Sequence, residues 1–160
     1  DIQVRDRLQE VAAFARLPKG YVRYAHQSWL LIQNEIRPIL SQFYDFIEDS
    51  GFTVLIERPN RDRLITAQAQ HWQTLFTASF SEDYLASVKA IGLRHRLIDL
   101  SPSAYISGYG FLSNRISCQT VKALPHDPAL ASQLLLTTQS LIFIDMSLAL
   151  SVYNDDVVLL

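Results

Sequence analysis

The sequence predicts an all-α domain, and three observations carry that reading. Only five glycines and six prolines punctuate the 160 residues. No Asn-Gly or Asp-Gly pair is present to turn a hairpin. Apolar residues recur at spacings of three and four along most of the chain, the period of one helix face, and strict alternation is scarce.

The elements follow in order. Val4, Leu8, Val11 and Ala15 make one stripe, which Pro18, Lys19 and Gly20 break. A second helix begins near Tyr21 and runs to about Ile32, with Val22, Ala25, Trp29 and Ile32 on one face. Residues 35 to 49 place Ile36, Leu40, Phe43 and Ile47 at helical spacing with Tyr44 beside them, and Asp49, Ser50 and Gly51 end the segment. From Arg61 to Ala78, the residues Leu64, Ala67, His71, Leu75 and Ala78 line one face while Ile65, Trp72 and Phe76 line another, so this helix is expected to be buried on two sides.

Ser79 and Glu82 are spaced as a capping box for the next helix, whose stripe is Leu85, Val88, Ile91, His95 and Ile98. Ser101 followed by Pro102 opens a helix with Tyr105, Tyr109, Leu112 and Ile116. The same signal at Asp127 and Pro128 opens a last and longest helix, running to about Tyr153.

A chain of 160 residues suits one domain and buries about 70% of its unfolded surface. Apolar residues make up 49% and charged residues 19%, which describes a well-filled core. The net charge of -2, with basic residues scattered, argues against nucleic acid as a partner. No apolar run is expected to reach the roughly 18 residues that cross a bilayer. The start, DIQVRDRLQE, is charged where a signal peptide is oily. The expectation is a cytoplasmic protein or module with no membrane partner. Cys118, the single cysteine, is expected in the core or at an interface.

Four histidines are candidates for chemistry. His126 sits in a Pro-His-Asp-Pro turn, and His26 has no acidic residue four positions away. His71 and His95 lie on apolar stripes, where an unpaired ring costs a few kcal/mol. Two readings are open for such a histidine, a core residue bonded to a backbone carbonyl or a metal ligand. Zinc spacing is absent from the sequence. A haem iron needs only one axial imidazole in an apolar pocket.

The stretch IGLRHRLIDLSPSAYISGY, residues 91 to 109, resembles the segment around the proximal histidine of globin-coupled sensors. In that family an Ile-Gly pair precedes the histidine by one turn, and a Pro and then a Tyr follow it. AQHWQTLFTASFSEDYLASV is similar to the family's preceding helix and corner, and ILSQFYDFIEDSGF to its second globin helix, with Phe43 and Tyr44 paired. The 51 positions from Tyr44 to His95 suit the family's distance between distal tyrosine and proximal histidine. Two departures stand out: Asp99 follows Ile98, and Thr77-Ala78 replaces a small residue and Gly at the corner.

The resemblance implies a globin fold with an extra N-terminal helix, residues 1–20 as extension and 21–153 as core, packed around haem b. His95 would be the axial ligand and Tyr44 the distal donor to bound dioxygen. Leu64 and Ala67 would form the distal wall, with Phe43, Tyr105, Ile91 and Ile98 around the pocket. Trp29, Phe46 and Tyr109 are further aromatics that either wall the pocket or fill the core. His71 is read as packing or as a propionate-edge contact.

By the same resemblance the domain senses dioxygen, or carbon monoxide or nitric oxide, and is not itself an enzyme. It would pair as a homodimer through its last two helices, Leu134, Leu135, Leu141, Ile142, Ile144, Leu148 and Val152 supplying the contact. It would drive a C-terminal output module such as a diguanylate cyclase, a histidine kinase or a chemotaxis transducer. Ending at VVLL, the chain is expected to be the sensor portion. Two alternatives stand beside this one: a haem-free globin-fold module of a stress-response complex, and a haem enzyme acting on bound oxygen or nitric oxide.

Overall fold

The computed structural model describes residues 2–50, 58–97 and 100–155, and among them the chain forms seven helices and no strand. They are α1 (Ile2–Ala15), α2 (Tyr21–Ile32), α3 (Ile36–Asp49), α4 (Arg58–Thr77), α5 (Glu82–Leu97), α6 (Pro102–Ala123) and α7 (Pro128–Asp155). Ile98, Asp99 and Gly51 lie outside the described residues.

Four of the helix starts, those of α2, α5, α6 and α7, have a local cause. Gly20 takes φ 78, a left-handed conformation that costs a glycine little, and α2 begins on the next residue. Ser101 Oγ accepts from the backbone N–H of Ala104 at 3.2 Å, and Pro102 fills the first turn of α6. Asp127 does the same for α7, accepting from Leu130 at 3.0 Å. The cap of α5 is Ser81, whose Oγ accepts from Tyr84 N at 3.3 Å, and Ser79 is not part of it. Ser79 and Phe80 take φ 46 and 57 and turn the corner between α4 and α5.

The longest helix, α7, packs against α1, α2, α5 and α6. Its stretch Pro128–Val152 has a mean hydropathy of 1.5 and is long and apolar enough to cross a membrane, which corrects the expectation that no such run exists. Serines, threonines and glutamines interrupt the run and hid it. Half of that stretch is buried inside the protein, as a central core helix requires. Leu134, Leu141, Ile142, Ile144, Leu148 and Val152 are all buried against the chain's own helices, so they do not supply a dimer face.

The Ile-Gly pair before His95 has a packing reason. A Cβ on Gly92 would sit 3.1 Å from Val152 Cγ1 and 3.2 Å from the Ala149 carbonyl oxygen, so glycine lets α5 lie close on α7. Gly108 gives the same room to α3: a Cβ there would meet the Phe43 ring at 2.7 Å. On α2, Val22 is exposed and Ser28 buried, one step round from the predicted face.

Candidate functional site

Helices α4 and α5 run antiparallel, and the polar residues of their shared seam fall into two groups. His95 is 1% exposed on α5. Its Nδ1 lies 2.9 Å from the Ile91 carbonyl oxygen, one turn back. A carbonyl only accepts, so Nδ1 carries the hydrogen and Nε2 carries the lone pair. That nitrogen faces α4, where Gln68 Nε2 donates to it at 3.0 Å. The Tyr105 ring stands edge-on to the imidazole, centroids 5.0 Å apart at 89°. Burial pushes the His95 pKa down to about 4, outweighing the Ile91 bond that raises it, so the ring is neutral at pH 7.

Around this nitrogen is a small void of about 20 Å³, bordered by Phe43, Gln68, His95, Tyr105 and Tyr109 among others. Further out along the seam open two grooves of about 450 and 300 Å³ that share Arg63 and Arg94. Ala67 lines the larger groove and Leu64 the smaller.

Tyr44 enters from α3 and is fully buried. Among the described residues its hydroxyl makes no hydrogen bond of good geometry, and the Gln68 side chain is its polar neighbour. Burial raises its pKa, which keeps the O–H a donor at any ordinary pH. Arg61 holds the start of α4 onto α3, donating to Asp45 at 2.5 Å, the Ser41 carbonyl at 2.8 Å and Glu48 at 3.2 Å.

The second group closes the other end of the seam. Asp145 of α7 is wholly buried and accepts three hydrogen bonds: from His71 Nε2 at 2.7 Å, from the Tyr84 hydroxyl at 2.7 Å and from the Tyr109 hydroxyl at 2.6 Å. His71 Nδ1 meets Ser87 Oγ at 2.7 Å. Burial pushes the Asp145 carboxyl up, but the His71 charge and the three bonds outweigh it and hold the carboxyl below its usual range. Four helices are tied at this one anion.

The structure therefore brings His95, Tyr44, Phe43, Tyr105 and Ile91 to one place, with Tyr109 beside them. Leu64 and Ala67 border the outer grooves. Trp29 stacks on Phe76 at 6.1 Å, and Phe46 is 55% exposed and walls nothing. His71 serves the Asp145 cluster, which replaces the propionate-edge reading. His26 and His126 are exposed. Cys118 is exposed too, so it is not a core residue.

Sequence reasoning missed Gln68 and Asp145. Both carried a signal: Gln68 is one turn from Leu64 on an apolar stripe, and Asp145 is the only charged residue between Pro128 and Tyr153.

A haem suits this donor set. One neutral imidazole presents the lone pair of Nε2 among mostly apolar and aromatic walls, the Tyr44 hydroxyl stands nearby, and Arg63 and Arg94 border the seam's outer grooves where carboxylates need cations. Seating a macrocycle requires the Gln68 amide to leave His95, since the void beside that ring is far too small. An all-helical domain with these features is of the globin class.

The family model described as Protoglobin matches residues 4–157, and the chain belongs to that family. Its members are gas-binding globins that hold haem, so this is a globin-type domain and not itself catalytic. No curated protein matches the chain.

Proposed function

We propose that the domain binds haem b through His95 and senses a diatomic gas, dioxygen before carbon monoxide or nitric oxide. The observation that carries this reading is the buried His95 ring, anchored through Nδ1–H to the Ile91 carbonyl so that Nε2 keeps its lone pair, with the Gln68 amide as its neighbour across the seam. When bound, haem would supply an iron that takes a diatomic gas reversibly.

The chain does the rest. The Ile91 carbonyl fixes the ring's tautomer and orientation and makes Nε2 a better base. Phe43, Tyr105 and Leu100 keep water out. Arg94 and Arg63, which border both outer grooves, would hold the carboxylates of the macrocycle. Tyr44 offers its O–H to a gas that gathers negative charge on binding, as dioxygen does and carbon monoxide does not.

Tyr44→Phe is expected to speed dioxygen dissociation about ten- to a hundred-fold, the loss of one hydrogen bond worth roughly 1.5 to 3 kcal/mol, and to leave carbon monoxide nearly unchanged. Stopped-flow rates for both gases decide it. Equal shifts would mean the ring acts by shape alone, and no shift would remove Tyr44 from the site.

The sensing role needs an output, and we assign it to a module following α7 in a longer cytoplasmic protein. Two copies pair through α6 and α7 in this reading. With the core residues of α7 spoken for, the contact falls to the exposed Val121, Leu136 and Phe143, around a groove of about 500 Å³ that includes Cys118 and Leu135. Light scattering is expected to report a dimer at micromolar concentration, and a monomer would sink the pairing.

A further inference from the structure

We infer that Gln68 is a second gas-contacting donor, standing with Tyr44 on the α4 side of the haem slot. The inference rests on His95 as the haem ligand and names a residue that sets ligand preference at that site.

Position carries the argument. Gln68 Nε2 lies 3.0 Å from His95 Nε2, so whatever is seated on that nitrogen has Gln68 as its neighbour across the seam. Neither residue expected to form the distal wall occupies this place: Ala67 borders an outer groove with Asp62 and Gln70, and Leu64 borders another with Asn60 and Leu97.

Chemistry points the same way. Gln68 is 9% exposed, and a buried primary amide has two donor hydrogens and one acceptor to satisfy. Occupation of His95 Nε2 takes away the acceptor that Gln68 uses. The amide then has two groups to turn to, the Tyr44 hydroxyl beside it and the bound gas. Tyr44 lacks a hydrogen bond of its own, so an amide oxygen accepting from Tyr44 and an amide N–H donating to the gas would satisfy both side chains at once. An N–H donor favours a ligand with negative charge over one without.

The test uses the haem-loaded chain and its Gln68→Leu and Gln68→Met variants, the second keeping side-chain length in case the first packs badly. Expected for either variant are dioxygen dissociation about ten-fold faster, carbon monoxide dissociation changed less than about two-fold, and a carbon monoxide stretching band moved to higher wavenumber as a donor is lost. An unmoved band with unchanged dioxygen dissociation overturns the proposal, as does an equal change for both gases, which would make Gln68 a space-filling residue. Haem content separates this failure from failure of the axial assignment. If His95→Ala retains haem as wild type does, both readings fall, whereas a His95-dependent haem with gas rates blind to Gln68 overturns this one alone.

Discussion

His95→Ala is expected to purify with little haem and, after haem is added, to lose it on desalting. The reason lies in where the other imidazoles are. Both nitrogens of His71 are engaged, Nε2 with Asp145 and Nδ1 with Ser87. His26 and His126 are exposed on other elements and cannot reach the seam. No other buried histidine is present to take over.

The apolar walls would still attract a flat macrocycle, which explains loose retention in place of complete loss. Imidazole added at millimolar concentration should restore a sharp Soret band by entering the space the side chain vacates, as small ligands enter engineered cavities. Haem retained as in wild type, without imidazole, would place the ligand elsewhere. A parallel His71→Ala sample guards against mere instability: its Soret band is expected to stay where wild type has it.

Helix existence and order were readable because each face is written in local spacing and each cap in a few adjacent residues. Ser101 and Asp127 were found that way. Spacing alone does not separate Ser79 from Ser81 as the cap of α5, since both stand ahead of that helix and the left-handed backbone of Ser79 and Phe80 leaves no mark in it. On α7 the pattern had less to say: a helix packed by four others has apolar residues all round, so periodicity does not tell covered faces from open ones. That is why the residues picked for a dimer turned out to be core.

The site was legible in part for a similar reason. His95 and Tyr44 could be placed by the resemblance of their surroundings, but what each touches depends on helices distant in sequence. Gln68 meets His95 across 27 positions and His71 meets Asp145 across 74. A polar residue on an apolar stripe announces that it needs a partner. It does not say which one.

The Asp145 cluster gives the largest expected effect on stability. His71→Ala removes one of three hydrogen-bond donors to a carboxylate with no access to water, leaving two tyrosine hydroxyls to hold the charge. Removing one hydrogen bond to a buried charged group costs about 1.5–3 kcal/mol, because the anion is left a donor short. For a domain of this size each kcal/mol is about 2–4 °C of melting temperature, so a fall of about 3–12 °C is expected. Asp145→Asn keeps the shape but removes the charge, and should cost less than His71→Ala if the stranded anion is the main penalty. His71→Ala with Asp145→Asn then gives a double-mutant cycle. Thermal melts of all four proteins should show the double variant more stable than the sum of the two losses predicts, since the second change removes the charge that the first left unpaired. Strictly additive losses would mean that His71 and Asp145 act as separate packing residues, and that the close approach of α4, α5, α6 and α7 depends on their apolar contacts alone.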